Sequence, residues 1–294
     1  MEKIGFVGVG LMGHGMAGSL LDAGHPLCII AHRNREPIDD LVGRGATEAD
    51  SLESLAKASD IVHICAPGSP QVEAIVTDLI AHMTPGGVIV DCSTSNPVST
   101  EMLAAKVEDA GLHWADAPLG GTPAQAMTGE LAAMVGAREE VFSRLEPVFD
   151  TWAATIVRVG GPGAGHKMKL LNNFLAMGYG ALYAEALAMA EKSGVGTAMF
   201  DSVIRGSRMD CGFYQTFMGY AVEGNREAHK FTLTNALKDM TYLAAMADGA
   251  GVANPVQGAI KNSFAMAVNT GGDGAEDYVP HLVDFVARAN GIKR

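Results

Sequence analysis

The chain has 294 residues, 48% of them hydrophobic and 18% charged, so it can bury a sizeable core and is not a disordered segment. Its formal net charge of −12, without any run of five or six like charges, argues against nucleic acid or an anionic membrane surface as a partner. Glycine is over-represented, with 36 residues, about 12% against a usual share of about 7%.

Short β-branched runs alternate with helical patterns over the first 160 residues. This alternation predicts a doubly wound α/β fold, in which a parallel sheet carries helices on both faces. The predicted strands are 4–7, 27–31, 61–65, 88–91, 113–116 and 132–135, and the predicted helices include 13–23, 50–57, 70–80 and 98–110.

A glycine-rich joint, GGPGAGH, follows residue 159, and the periodicity beyond it is helical. We therefore expect two domains, a dinucleotide-binding domain over 1–162 and an all-α domain over 163–294. The segment 166–192 predicts one helix of roughly 40 Å at 1.5 Å per residue. Because this helix is apolar around most of its surface, we expect a second subunit to cover it, in a homodimer or homotetramer.

The remaining composition predicts a cytoplasmic protein without a metal. Four cysteines, at 28, 65, 92 and 211, form no CxxC pair and no metal-ligand spacing. The N-terminal residues lack the basic region of a signal peptide. The longest apolar stretch, 170–190, is interrupted by Asn172, Asn173 and Glu185, which predicts a buried helix and no membrane span.

A Gly8-x-Gly10-x-x-Gly13 motif lies between the first predicted strand and the first predicted helix. In this context the motif is typical of dinucleotide binding. Gly8 would form the tight turn, Gly10 would admit a pyrophosphate, and Gly13 would allow close packing of helix on strand. The main chain of Leu11 and Met12 would lie beside the pyrophosphate, at the positive end of the helix.

The residues after the second strand decide between NAD and NADP. An acidic residue there would bind the ribose 2′-hydroxyl of NAD, but this chain has His32, Arg33, Asn34 and Arg35. Two guanidinium groups suit a 2′-phosphate, so NADP is favoured over NAD. A solvated basic loop is the alternative, and it applies more to Arg35 than to Arg33.

Five motifs in chain order resemble those of the short-chain β-hydroxyacid dehydrogenase family, which includes 3-hydroxyisobutyrate dehydrogenase, tartronate semialdehyde reductase and sulfolactaldehyde reductase. The resemblance spans most of the chain and implies a Rossmann domain, a helical C-terminal domain, and hydride exchange between NAD(P) and a small β-hydroxyacid. The motifs are the glycine loop continued to Met16-Ala17, Asp91-Cys92-Ser93-Thr94-x-x-Pro97, Asp116-Ala117-Pro118-Leu119-Gly120-Gly121-Thr122, Gly163-x-Gly165-x-x-x-Lys169-x-x-Asn172-Asn173, and Lys238-Asp239.

The resemblance implies that Lys169 is the general acid in reduction and the base in oxidation, and that Asn173 orients the substrate oxygen. Spacing alone places both side chains on one helix face, where a solvated lysine is the ordinary alternative. The resemblance also places Lys238 near nicotinamide and substrate and Phe231 beside the same cleft. An exposed Lys238 paired with a carboxylate, and a structural Asp239, are the alternatives.

Polar residues at strand ends complete the candidate site. Thr94 follows a buried strand and is expected near nicotinamide and substrate, although a helix N-cap is the competing interpretation. Ala66 and Pro67 are expected to pass over the cofactor. His166 also lies close to a motif, but a packing role is more typical of such a histidine, and we assign it none.

The segment Gly120, Gly121 and Thr122 is the predicted binding site for a substrate carboxylate, through converging main-chain N–H groups. The family usually has serine at position 120, and here Thr122 would supply a hydroxyl. Sulfolactaldehyde reductases have an arginine at the position of Gly121. Because this chain lacks that arginine, the main reason to expect a sulfonate substrate is absent.

The leading functional hypothesis is therefore an NADP-preferring dehydrogenase of a 3-hydroxyisobutyrate-like acid. Tartronate semialdehyde or sulfolactaldehyde reduction, a dinucleotide-binding scaffold without chemistry, and an amine-forming reductase are the alternatives. An intact Lys169 and Asn173 argue against the last two.

Overall fold

The computed structural model describes residues 1–270 and 277–294. The chain divides into two compact units, Met1–Lys169 and Leu170–Arg294.

A twisted sheet forms the centre of the first unit. Over the described residues it has nine strands in the order β3-β2-β1-β4-β5-β6-β8-β7, and β9 pairs with the other side of β8. The strands are β1 (Ile4–Val7), β2 (Leu27–Ile30), β3 (Thr47–Ala49), β4 (Ile61–Ile64), β5 (Val88–Asp91), β6 (His113–Asp116), β7 (Leu119–Gly120), β8 (Leu131–Ala137) and β9 (Ala153–Gly160).

The six strands from β3 to β6 are parallel, and β8 runs antiparallel to β6 and β7. Their apolar side chains are buried in clusters on both faces of the sheet, under the connecting helices. The helices are α1 (Gly13–Asp22), α2 (Glu36–Gly43), α3 (Leu52–Lys57), α4 (Ser69–His82), α5 (Pro97–Asp109), α6 (Pro123–Met127) and α7 (Glu139–Phe149). The predicted doubly wound α/β fold is confirmed.

The second unit is built from helices around one apolar core. Helix α8 (Ala164–Lys192) begins in the first unit and continues into the second, and its 29 residues span roughly 43 Å at 1.5 Å per residue. The predicted all-α region with one long helix is confirmed. The other helices are α9 (Thr197–Ile204), α10 (Gly212–Ala221), α11 (Leu233–Gly249), α12 (Pro255–Thr270) and α13 (Leu282–Ala289), and a short 3-10 helix covers Val279–His281.

Helix α8 has apolar side chains on its buried face and on its exposed face. Leu170, Ala184 and Leu187 are buried in the core of the second unit, whereas Leu175 and Leu182 are 60% and 64% exposed. Among the described residues, no helix is long and apolar enough to cross a membrane.

Candidate active site

The glycine loop connects β1 to α1 at the carboxyl edge of the sheet. Gly8 has a φ of +104°, and a Cβ atom there would lie 2.1 Å from the carbonyl oxygen of Cys65. A Cβ on Gly13 would lie 2.1 Å from the carbonyl oxygen of Gly8 and 2.9 Å from the Phe6 ring. These contacts exclude any side chain at both positions. Gly8 thus forms the tight turn, and Gly13 allows α1 to pack closely on the loop.

Gly10 differs from its two neighbours in the motif. A Cβ on Gly10 would meet no protein atom within 4 Å among the described residues, so the backbone there faces open space. Leu11 beside it is 78% exposed, and Met12 is partly buried against the core. The open main chain at the first turn of α1 fits an anion such as a pyrophosphate.

The basic residues after β2 have different surroundings. His32, Arg33 and Asn34 are exposed, and no described residue forms a hydrogen bond or ion pair with the Arg33 side chain. The Arg35 guanidinium, by contrast, donates to Glu48 at 2.6 Å and to Asp39 at 2.8 Å. These two carboxylates raise the pKa of Arg35, and the guanidinium lowers the pKa of Glu48. Arg35 therefore already has anionic partners, unlike Arg33.

Two further loops follow neighbouring strands at the same edge. Ala66 and Pro67 follow β4, and their loop is joined to the one after β5 because Ala66 N donates to Ser93 Oγ at 2.9 Å. Thr94 is half-buried between Ser93 and Ser95. Since β1, β4 and β5 are parallel neighbours, the glycine loop, residues 66–67 and Thr94 all lie at the carboxyl edge of the sheet.

The predicted substrate segment lies after β6. Gly120 belongs to the two-residue strand β7, and Gly121 has a φ of +124°, a conformation that favours glycine. The Thr122 hydroxyl caps α6, accepting from Gln125 N at 3.3 Å and donating to Gln125 Oε1 at 3.1 Å. This capping box gives the Thr122 hydroxyl local partners, a structural task that the sequence analysis did not assign.

The beginning of α8 is fixed by a buried carboxylate that sequence reasoning missed. Asp116, at the end of β6, accepts from Gly163 N at 2.6 Å and from His166 N at 2.8 Å. Burial raises the pKa of Asp116. Only glycine fits beside it, because a Cβ on Gly136 or Gly165 would lie within 2.8 Å of the carboxylate. Asp116 thus takes the place of a local N-cap for α8.

His166 is fully buried and bonded through both ring nitrogens. Its Nδ1 lies 2.8 Å from Thr100 Oγ1, and its Nε2 lies 3.0 Å from the carbonyl oxygen of Ser93. The sequence analysis assigned His166 no role, and the structure gives it two polar partners. The partners come from segments 66 and 73 residues away, so no local sequence signal points to them.

Lys169 is half-buried and stands three residues after His166, between exposed Met168 and buried Leu170. Asn173 follows one helical turn later on α8 and is buried. The predicted helical spacing of Lys169 and Asn173 is therefore present.

In the second unit, Asn173 belongs to a polar group with two residues of α11. Its amide Nδ2 donates to Asp239 Oδ2 at 2.7 Å, and Lys238 Nζ lies 2.9 Å from Asp239 Oδ1. The Lys238 ammonium also lies 5.0 Å from the centre of the Tyr242 ring. Asp239 is fully buried and holds both polar side chains in place. Phe231 is half-buried just before α11.

Over the described ranges, no group of three His, Cys, Asp or Glu side chains could hold a metal ion. The residues at the sheet edge instead suit a dinucleotide, with positive-φ glycine, an open main chain and an arginine after β2. The chemistry available in this part of the chain is that of a half-buried amine and main-chain N–H donors.

Comparisons with known proteins agree with this geometry. Residues 3–161 match the NAD-binding domain of 6-phosphogluconate dehydrogenase, and residues 163–280 match the NAD-binding domain of NADP-dependent 3-hydroxyisobutyrate dehydrogenase. The chain is 37% identical over 208 residues to an uncharacterized oxidoreductase of Mycobacterium tuberculosis, covering 70% of each protein.

The relatives with named activities include two reductases of one organism. The chain is similar to the 3-sulfolactaldehyde reductase of Escherichia coli, with 28% identity over 95% of this chain and 94% of the relative. It is 35% identical to the 2-hydroxy-3-oxopropionate reductase of the same organism, over 65% of this chain and 66% of the relative.

The chain is similar to a solved structure of 3-hydroxyisobutyrate dehydrogenase from Mycobacterium tuberculosis, which is described with L-serine. The TM-score is 0.87 and the sequence identity is 25%, over 97% of this chain and 98% of the chain in that structure. The fold, the glycine loop and the two family matches lead to one conclusion. The chain belongs to the β-hydroxyacid dehydrogenase family of NAD(P)-dependent oxidoreductases.

Proposed function

We propose that this enzyme transfers a hydride reversibly between NADP(H) and a small β-hydroxyacid of the 3-hydroxyisobutyrate type, with Lys169 as the general acid and base. The observation that carries the proposal is the placement of a half-buried lysine on a helix whose first turn is anchored to the carboxyl ends of β5 and β6. The same sheet edge presents the glycine loop.

The reaction defines what the protein must supply. The nicotinamide cofactor provides or receives the hydride. Reduction of a carbonyl leaves an alkoxide, which needs a proton donor and positive charge where the oxygen develops. The Lys169 ammonium supplies both, and its neutral amine takes the proton back when the alcohol is oxidised. Asn173, one turn along α8 and fixed by Asp239, orients the substrate oxygen.

NADP is favoured because Arg33 is exposed at the end of β2 and has no partner among the described residues. A guanidinium there suits the 2′-phosphate, and no carboxylate follows the strand before Glu36. His32 and Asn34 flank the same position. Arg35 would have to exchange Glu48 or Asp39 for the phosphate, so it contributes less than Arg33.

The substrate carboxylate is assigned to the main-chain N–H groups around Gly120 and Gly121. A Cβ at position 120 would lie 3.4 Å from the Ala132 Cβ, 3.8 Å from the Met134 methyl group and 3.9 Å from the Ala132 carbonyl oxygen. A carboxylate is favoured over a sulfonate because Gly121 stands where the sulfolactaldehyde reductases have an arginine. Thr122, Phe231 and Lys238 complete the proposed substrate contacts.

The assembly and the domain limits are also part of the proposal. We place the dinucleotide-binding domain at 1–162, the helical domain at 163–294, and the protein in the cytoplasm. Exposed apolar side chains on α8, including Leu175 and Leu182, favour a homodimer or homotetramer. Light scattering of the purified protein tests the assembly, and a monomer at micromolar concentration would contradict it.

The mechanism is tested by Lys169→Ala in a spectrophotometric screen of small β-hydroxyacids with NADP. We expect kcat to fall by at least a hundredfold, because a positioned proton donor typically contributes a factor of 10² to 10⁴. The dissociation constant of NADPH should change less than threefold. Lys167→Ala is the matched control, since Lys167 is exposed on the same turn and pairs with Glu101 at 2.5 Å. Unchanged turnover in Lys169→Ala would refute the assignment.

A further inference from the structure

A buried polar cluster connects two segments of the first unit that the proposed function uses. It consists of Asp91, Asp116 and His166, which are all fully buried. Asp91 and Asp116 face each other at the ends of the parallel strands β5 and β6. The His166 ring lies between them, with Nε2 3.7 Å from Asp91 Oδ2 and Nδ1 3.9 Å from Asp116 Oδ2.

Each carboxylate holds one segment. Asp91 Oδ1 accepts from Ser93 N at 2.9 Å, and Asp91 Oδ2 accepts from Ser95 Oγ at 2.7 Å, so both neighbours of Thr94 are fixed. Asp116 holds the first turn of α8 through the N–H groups of Gly163 and His166. The contacts of Asp91 thus order the loop that carries Thr94, and the contacts of Asp116 order the helical turn before Lys169.

His166 joins the two segments directly. The Ser93 carbonyl oxygen can only accept, so His166 Nε2 carries a proton and donates to it at 3.0 Å. The main chain of His166 is at the same time bonded to Asp116. One side chain therefore spans from the helix of Lys169 to the loop of Thr94, in a region without solvent, where a hydrogen bond is strong and costly to break.

We propose that His166 is a positioning residue, which fixes the distance between the loop of Thr94 and the turn of Lys169 through its bond to the Ser93 carbonyl. This inference rests on the proposed function, because its effect on turnover passes through Lys169. A misplacement of about 1 Å at a reacting group can cost a factor of 10² in rate, so a single bond of this kind is sufficient to matter.

Three substitutions of His166 separate the two ring contacts. His166→Gln places an amide N–H near the Nε2 position and keeps a donor for Ser93. His166→Asn places its amide near Nδ1 and keeps only the contact with Thr100. His166→Leu removes both. We expect kcat to fall at least tenfold in the Leu and Asn variants and to recover to within threefold of the wild type in the Gln variant.

The binding constants distinguish positioning from general damage. In the Leu variant the dissociation constant of NADPH, measured by fluorescence titration, should stay within threefold of the wild type. Leu79→Ala is the control for lost stability, because Leu79 is fully buried on α4 and outside the cluster. It should lower Tm to a similar extent while kcat stays within twofold. Equal losses of kcat in Leu79→Ala and His166→Leu at equal Tm would overturn the proposal.

A double variant separates this inference from the proposed function. In a Lys169→Ala background, His166→Leu should reduce the residual kcat by less than twofold, because both changes act through one ammonium group. A further tenfold loss in that background would overturn the positioning role. If Lys169→Ala alone keeps full turnover, the proposed function fails. If Lys169→Ala is inactive and His166→Leu is fully active, only the positioning role fails.

Discussion

The three glycines of the loop should respond differently to alanine, and the difference separates folding from cofactor binding. A Cβ on Gly13 would lie 2.1 Å from a carbonyl oxygen of the backbone, so α1 must shift away from β1 in Gly13→Ala. Forcing an extra methyl into a packed site typically costs about 1 to 3 kcal/mol. For a unit of this size, each kcal/mol lowers Tm by roughly 2 to 4 °C. We therefore expect Tm to fall by several degrees.

Gly10→Ala should leave the fold intact. A Cβ there meets no described protein atom within 4 Å, and replacing a compatible glycine typically stabilises by about 0.4 to 1 kcal/mol through the unfolded chain. The same methyl group would stand where the pyrophosphate must approach. The dissociation constant of NADPH should therefore rise at least tenfold, which corresponds to about 1.4 kcal/mol of lost binding free energy.

Differential scanning fluorimetry and titration of NADPH fluorescence on both variants give the two readouts. Gly13→Ala should lower Tm, whereas Gly10→Ala should lower the affinity for NADPH without lowering Tm. Unchanged NADPH affinity in Gly10→Ala would refute the placement of the pyrophosphate at this loop.

Three further predictions concern other parts of the molecule. Arg33→Ala should weaken NADP binding by at least tenfold and NAD binding by less than twofold. Arg35→Ala should weaken the binding of either cofactor only slightly. If Arg33→Ala weakens NADP and NAD binding equally, the assignment of Arg33 to the 2′-phosphate is wrong. Burial lowers the pKa of His63 to about 3, whereas the pKa in the unfolded chain is about 6.5. Between pH 6.5 and pH 3 the unfolded chain therefore binds a proton at His63 that the folded protein does not bind. The free energy of unfolding consequently decreases as the pH falls from about 6.5 toward 3. Urea denaturation at pH 7 and pH 5 should show this loss, up to about 1.4 kcal/mol per pH unit, and His63→Leu should reduce it. Asp239→Asn should lower kcat/KM at least tenfold, because Asn173 loses its charged acceptor and Lys238 loses its ion-pair partner; wild-type kcat/KM would contradict that role.

Periodicity predicted the elements that are buried and regular. The strands β1, β5 and β6 have the predicted limits, and the long helix begins two residues before the predicted start at 166. Strand β3, with the sequence Thr-Glu-Ala, was not predicted because it is a short edge strand with exposed polar residues. Helix α7 was missed as well, and it contains a proline, Pro147.

The parts of the candidate site that neighbouring residues form could be predicted from the sequence. The parts that depend on contacts between distant segments could not. The glycine loop is defined by its own spacing and flanking elements, and its backbone geometry agrees with the predicted roles of Gly8 and Gly13. The Thr122-x-x-Gln125 capping box was present in the sequence as a local signal but was not used. His166 gave no such signal, since its partners are brought together only by the ends of β5 and β6 and by α5.

Strand β9 has a consequence for aggregation of the chain. It is eight residues long, most of its side chains are partly or fully exposed, and among the described strands it pairs only with β8. A long edge strand with free N–H and C=O groups is a template for pairing with other chains. Its sequence, Ala-Ala-Thr-Ile-Val-Arg-Val-Gly, is apolar on both sides of Arg158. That guanidinium, paired with Glu139 at 2.7 Å, is the charge that interrupts an aggregation-prone segment and protects the folding chain at this edge.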